Sequence, residues 1–396
     1  MQIKNLTPFT HLRFSKSDNK GLEFGVVALK ATYVFDDDSN LQISDEQEAI
    51  NAEEKTFGAP AFSSLKQPTD LVGYKPSTDI IVNATAYSPK GQPTKAWNVG
   101  FELMDANGVK IQKTLRVTGP RWWIPKWKRT LTDDEKANWR DYKHLFEGWE
   151  LSEPEAITSL PIRYEYAYGG SVHKRNDEND NPIIEAFEYN PVGRGFIDPE
   201  WSDYTQKIAA PQIEDPNDLI NDPYKQYMPV GYGAIQRAWL PRRPLGGTFD
   251  QHWIDNIWPK WPQDHNFAYN NAASSNLWGH GFLKLPITVQ CVNLHPIKSN
   301  WFFTFNDCDV HAVYHLTDET EFGGQPRLDT VQIDIEADDP FDNYAFLVWR
   351  LIYKQDETER LIMGFSDDAP NNIEMKTPHP DDCGIYSDAL ERPDGN

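Results

Sequence analysis

Cysteine is scarce in this chain: Cys291, Cys308 and Cys383 are the only three in 396 residues. The count is odd and no CxxC pair occurs, which argues against a disulfide framework or a cysteine zinc site and fits a reducing compartment. Basic residues are outnumbered, 38 Lys and Arg against 60 Asp and Glu, for a formal net charge of -22. A field of that sign repels nucleic-acid phosphate and anionic membranes, so neither is an expected partner. It attracts a basic partner, or it simply keeps the protein soluble. No uninterrupted apolar run approaches the ~20 residues of a membrane helix, and residues 1–8 lack the apolar stretch of a signal peptide. The expected location is therefore cytoplasmic.

The usual catalytic and cofactor signatures are missing too. There is no GxSxG elbow and no P-loop, and Gly231-Tyr232-Gly233 lacks the third glycine and the strand-turn-helix context of a dinucleotide fingerprint. His311 and His315 are four apart in a strand pattern, which separates them by about 13 Å, too far to share a metal. His265 beside Asp264 and His252 beside Asp250 have no third ligand in their patterns. Cys291 and Cys308 fall in or beside apolar strands and read as inert thiols. The expectation is no metal, no cofactor and no enzyme.

What is abundant is aromatic residues, 13% of the chain with 14 Trp, together with short β-forming runs. Residues 22–35 carry Val26, Val27, Leu29, Thr32, Tyr33 and Val34 and end at a turn signal, Asp36-Asp37-Asp38-Ser39-Asn40. Residues 44–70 read as a loop with a short helix. Strands follow at 80–87, 97–103 and 109–117, the last two joined by Asn107-Gly108, a hairpin signal because Asn-Gly tolerates positive φ. Turns every ten or so residues indicate an antiparallel sandwich. β patterns return at 287–294, 301–305, 310–316, 328–336, 344–353 and 361–365, and the tail after 367 is polar and expected to be loosely ordered.

Between these two β regions lies a different composition. Gly, Pro, Arg and aromatics alternate in PIRYEYAYGG (161–170), NPVGRGF (190–196) and PVGYGAIQRAWLPRRPLGGTFDQHW (229–253). Such a mixture has little regular structure of its own but too many rings and guanidiniums for a disordered linker. Two short helices with capping boxes are expected in this part of the chain. One starts at a capping box, Thr132 with Glu135, with Trp139, Tyr142 and Phe146 on one face and Gly148 as its stop. The other starts at Thr248 with Gln251, turns Phe249, Trp253 and Ile257 inward, and ends at Pro259. A strand is expected at 162–168, a polar loop at 174–181 and a short helix at 200–208.

The fold class expected is mainly β: two antiparallel, sandwich-like β regions bracketing a long irregular Gly/Pro/Arg/aromatic middle with a few short helices. The division is 1–120, 121–280, 281–366 and a polar tail, 367–396. The middle is the candidate recognition surface. Arg194, Arg237, Arg242 and Arg243 sit among rings in an acidic chain, with Trp122, Trp123, Trp239 and Trp253 nearby. Arg and Trp are the residues that dominate binding hot spots, and Arg also braces loops by bonding carbonyls, so both roles stand open. A Trp-rich middle would also suit a carbohydrate-active hydrolase or a carbohydrate-binding protein.

The succession KPSTDIIVNATAY, GPRWW, PIRYEYAYGG, NPVGRGF, PVGYGAIQRAWLPRRPLGGTFDQHW, WPQDHNFAYNNAA, LDTVQIDIE and FLVWR, spread over residues 22–352, resembles the bacterial type VI secretion adaptor family long catalogued as a domain of unknown function. The chain departs from that pattern at Pro120 and in a longer loop over 126–160. The resemblance implies a non-catalytic chaperone that binds a toxic effector, often PAAR-linked, and promotes its loading onto the VgrG spike. It carries no catalytic residues over to this chain. A structural component of the spike is the remaining alternative.

Overall fold

A computed structural model describes residues 1–18, 21–308, 310–337, 342–365 and 375–376. The expected order of the tail after 367 falls almost wholly outside these residues. The described chain is mainly β, in several sheets with a few short helices.

The largest sheet has seven strands. Its path runs Ser159–Pro161, Asp79–Tyr87, Arg327–Ile335, Tyr344–Tyr353, Glu23–Phe35 and Thr10–Ser17, with Leu41–Ile43 also pairing Glu23–Phe35. Two adjacent strands from the C-terminal part of the chain therefore lie between strands from its first half within one sheet. Pairing is antiparallel except between Asp79–Tyr87 and Arg327–Ile335, which run parallel, a departure from the all-antiparallel pattern expected from the sequence. The four central strands are buried along almost their whole length. Their apolar residues are continuous rather than alternating because both faces are covered.

A five-stranded antiparallel sheet runs Ile213–Glu214, Lys110–Thr118, Ala96–Met104, Ile287–Val292 and Asn300–Phe305. Here one face is wet. Trp97, Val99, Phe101 and Leu103 point inward while Asn98 and Met104 are exposed, the period of two that a half-buried strand requires. Its hairpin turns at Gly108, φ +79°, with the Asp105 carboxylate accepting from the amides of Asn107 and Val109 at 2.9 and 2.8 Å. A second five-stranded sheet joins Gln2–Asn5, Thr358–Phe365, Val310–Leu316, Glu321–Gly324 and Met375–Lys376.

One apolar core joins all three sheets. Phe35 meets Trp301 and Phe303 with ring centres 4.9 and 5.2 Å apart, Tyr33 meets Phe305 edge-on at 5.3 Å, and Phe9 lies 5.7 Å from both Trp349 and Phe365. A separate core under a three-stranded sheet, Phe146–Leu151, Trp122–Trp127 and Ile208–Ala209, collects Trp123, Tyr168, Phe187, Ile197 and Tyr227.

The irregular middle closes an edge. The side of Asp79–Tyr87 away from Arg327–Ile335 is covered in turn by Ser159–Pro161, by Tyr232, whose carbonyl accepts from the Val82 amide at 3.0 Å, and by Trp278, bridged to Asp79. An edge left open would offer a row of unpaired amides and carbonyls.

Several local expectations differ from the structure. The Thr132–Glu135 capping box forms, but the helix it starts, Asp133–Ala137, is one turn and a half long, followed by a 3-10 segment, Trp139–Leu145, and Gly148 lies in a strand. The expected helical face of Trp139, Tyr142 and Phe146 does not form: Trp139 lies in the 3-10 segment and Phe146 starts the strand, and both rings pack on Tyr204, at 4.7 and 4.6 Å, which overrides local preference. The second helix, Gln251–Asn256, is capped by Asp250 and not by Thr248, whose hydroxyl is held by Asp264 at 2.7 Å. Residues 162–168 alternate but are not one strand. Their rings face three surroundings: Tyr164 against Trp239, Tyr166 under Arg194, Tyr168 against Phe187 and Tyr227. The polar loop over 174–181 is partly a hairpin, Ser171–Asn176 with Pro182–Ala186. Residues 44–70 contain a short strand pair, Lys55–Thr56 with Leu65–Gln67, in place of a helix, and 200–208 form turns leading into Ile208–Ala209.

Candidate recognition surface

The middle is held at its base by buried charges. Asp79 is fully buried at the start of its strand. Its carboxylate accepts from Lys75 Nζ at 2.9 Å, from the Ala272 amide at 2.8 Å, from Asn271 Nδ2 at 2.9 Å and from the Ala273 amide at 3.3 Å. Lys75 also donates to the Thr330 hydroxyl at 2.7 Å. Arg350 pairs with Asp329 and donates to the carbonyls of Asp70 and Val72 at 3.0 and 2.7 Å. Burying a charge is costly unless it is paired and its remaining bonds are filled, so each of these side chains holds its partners firmly in place. The motifs KPSTD, YNNAA, LDT and VWR thus meet at one point and fix the loops at 70–75 and 271–273 to the central sheet.

A second brace joins the first two glycine-rich segments. Tyr168–Gly169 and Arg194–Gly195 pair in parallel, and Asn190 Nδ2 donates to the carbonyls of Tyr164 and Tyr168 at 2.8 and 3.0 Å. At Gly169, φ +150°, a Cβ would stand 2.1 Å from the Asn190 carbonyl oxygen, so only glycine allows the approach. Arg194 donates to the Glu165 carbonyl at 2.8 Å and to Gln212 at 3.0 Å and lies 4.5 Å over the Tyr166 ring. Burial lowers its affinity for the proton. The Glu165 carboxylate in turn accepts from the Ser64 amide and hydroxyl at 2.8 and 2.6 Å. A third brace centres on buried Glu214, which pairs with Arg116 and with Arg121 and accepts from the Ile220 amide at 2.8 Å.

Burial divides the candidate residues. Arg242 is buried and donates to the carbonyls of Tyr269 and Ile235 at 2.8 and 2.6 Å. Loss of hydration pushes its pKa down to about 10, which leaves it charged at neutral pH. Trp239, edge-on to Tyr164, and Trp123 are also buried. These three brace the surface from behind and cannot touch a partner docked on it as it stands. Arg237 is half-buried, 3.1 Å from Glu54 and over the Tyr269 ring. Arg194, also half-buried, spends its donors on the loop. Two side chains face outward: Arg243, paired with Glu188 at 2.8 Å and about half exposed, and Trp122, half-buried under Lys207 at 4.0 Å. Trp253 is half-buried, its Nε1 donating to the Lys260 carbonyl at 2.9 Å.

Sequence reasoning did not place Phe249, Ile254 or Trp258 among the partner-binding residues. Phe249, Ile254 and Trp258 are 54, 56 and 67% exposed. The expectation that Phe249 turns inward fails: its ring meets Trp253 at 4.9 Å but most of it stays in solvent. Ile254 and Trp258, four apart, were the available signal. It also passed over the Lys75–Asp79 pair, legible only as a charge beside an apolar run.

A polar cavity of about 400 Å³ lies elsewhere, at the ends of Arg327–Ile335 and Tyr344–Tyr353. Its acids face its bases, Lys66 with Asp334 at 3.3 Å and Arg163 with Glu336 at 2.6 Å. Burial raises the Glu336 pKa against the opposing pull of Arg163. Among the described residues no three His, Cys, Asp or Glu side chains gather closely enough to hold a metal ion, and no helix is long and apolar enough to cross a membrane.

Over residues 20–350 the chain matches the family described as an uncharacterized protein conserved in bacteria (DUF2169). No curated protein and no solved structure matches it.

Proposed function

Because the chain belongs to the bacterial family DUF2169, and because its middle is a rigidly braced loop surface, we propose that it is a non-catalytic adaptor of type VI secretion. It binds a toxic effector, PAAR-linked, and promotes its loading onto the VgrG spike. The secretion role follows the resemblance of the motif succession over residues 22–352 to adaptors of that system. The observation that carries the binding role is the division of labour in the middle. Arg194, Arg242, Asn190, Asp79 and Glu214 each bond loop backbone, while Arg243 and the residues around Trp258 face solvent and Trp122 is partly exposed. A surface fixed before it meets its partner loses little freedom on binding, so more of the contact energy appears as affinity.

Co-expression with the effector and PAAR-linked proteins encoded beside it, followed by size-exclusion chromatography, tests this. The expected result is a 1:1 complex, with loss of secretion but not of toxicity when the adaptor is deleted. Turnover of a polysaccharide abolished by a single carboxylate substitution would replace the adaptor with a hydrolase. Release of the chain itself with the spike would make it a structural component.

A further inference from the structure

The segment around the helix Gln251–Asn256 is built to keep apolar side chains in water. A six-residue helix has no stability of its own, and this one is held from both ends and beneath. Asp250 caps it by accepting from the Trp253 amide at 2.8 Å. Asp264 grips the Thr248 amide and hydroxyl at 2.9 and 2.7 Å. The Trp253 indole bonds the Lys260 carbonyl, and Trp261 stacks on buried His265 at 4.4 Å, which in turn meets Phe267 and Tyr269. The Ile257 and Trp258 amides both donate to the Trp253 carbonyl at 2.9 Å, which closes the helix at its C-terminal end and holds Trp258 against its last turn, four residues after Ile254. Phe249 flanks them. Three large apolar side chains, each more than half exposed, lie within ten residues on a supported protrusion. Scattered exposed apolar residues are ordinary; a clustered, propped-up group marks an interaction site.

The charge around the ridge says what covers it. Residues 247–264 hold Asp250, Asp255 and Asp264 against a single Lys260, within a chain of net charge -22. An acidic rim round an apolar centre selects a complementary segment, apolar in the middle and basic at its flanks. We propose that Phe249, Ile254 and Trp258 form the docking ridge for an amphipathic, Lys- or Arg-flanked segment of the partner protein. This rests on the adaptor reading and assigns that reading its contact. The apolar side chains supply the contact, and Asp255, an acceptor for Gln251 on its own helix at 2.9 Å, supplies part of the steering field.

The test compares the unaltered chain with Ile254→Ser/Trp258→Ser and with Asp255→Lys, each titrated by calorimetry against the purified effector and against a synthetic Leu/Lys amphipathic peptide. Melting curves verify folding, and Trp258→Ser alone serves if the double variant melts early. The expected result is a loss of at least about tenfold in affinity for the double variant, as for a central hot spot. Asp255→Lys weakens binding at low salt and converges on the unaltered chain at high salt, as a steering charge should. Equal affinity of all three for the effector overturns the ridge while leaving the adaptor standing. If the unaltered chain does not bind the effector, the adaptor reading fails. The peptide then decides the ridge: binding lost in the double variant upholds it, and no difference removes it.

Discussion

Arg242 and Arg243 are adjacent and do opposite things. Arg242 is enclosed and bonds two carbonyls of the loop it supports, whereas Arg243 reaches Glu188 across open surface. Removing a charged donor from a buried site leaves its acceptors unsatisfied, so Arg242→Ala is expected to cost about 2–3 kcal/mol. Arg243→Ala, at a half-exposed ion pair, is expected to stay within about 0.5 kcal/mol. Urea denaturation midpoints of the two variants measure the contrast directly. The sequence singled out both residues and could not divide them, because burial is decided by chain segments distant in sequence. Residue 269, for example, supplies an acceptor to residue 242. The same holds for Trp122 and Trp123: the dipeptide looks symmetric, but a strand puts neighbours on opposite faces, one into a core and one under Lys207.

Elements were legible where local pattern and tertiary use agreed. The strand at 344–353 was read with its observed bounds, Tyr344–Tyr353, because it is a continuous apolar run between breaks. The Asp105–Gly108 turn was legible for the same reason. Segments whose aromatics answer to distant partners were misread: 162–168 alternates like a strand while its rings enter separate surroundings, and 139–146 repeats like a helix while Trp139 and Phe146 reach one ring, Tyr204, from a 3-10 segment and a strand. The ridge helix adds a pH dependence at this scale. Burial among Trp261, Phe267 and Tyr269 holds the His265 pKa below its ordinary value of 6.5. The unfolded chain takes up this proton more readily than the folded one, so stability is full above pH 6.5 and falls as pH drops below it. Protection factors across 247–265, referred to the intrinsic exchange rate at each pH, should fall between pH 7.5 and 5.5, and His265→Leu should flatten that dependence. An unchanged profile in the variant would assign it to other groups, His295 among them, whose pKa burial also lowers.

For the whole molecule, the mainly β fold class with a few short helices was readable from composition and turn spacing. The pairing of the sheets was not. Arg327–Ile335 lies parallel to Asp79–Tyr87 although some 240 residues separate them, and no local pattern encodes such a partner. That long-range pairing brackets the middle as an insert: the chain leaves the central sheet at Tyr87, meets it again at Ser159–Pro161, and is tied to Asp79 through Asn271 and Ala272 before it re-enters at Arg327. The central claim is that this insert is a preformed binding surface. Hydrogen–deuterium exchange of the chain, alone and in complex with its co-purified effector, tests it most directly. The account predicts that 161–170 and 190–196 are already slow to exchange in the free chain, and that new protection on binding concentrates in 247–260 and beside Trp122 and Arg243. Fast exchange throughout the free middle, or new protection confined to the outer face of the sheet that contains Asn300–Phe305, would contradict it.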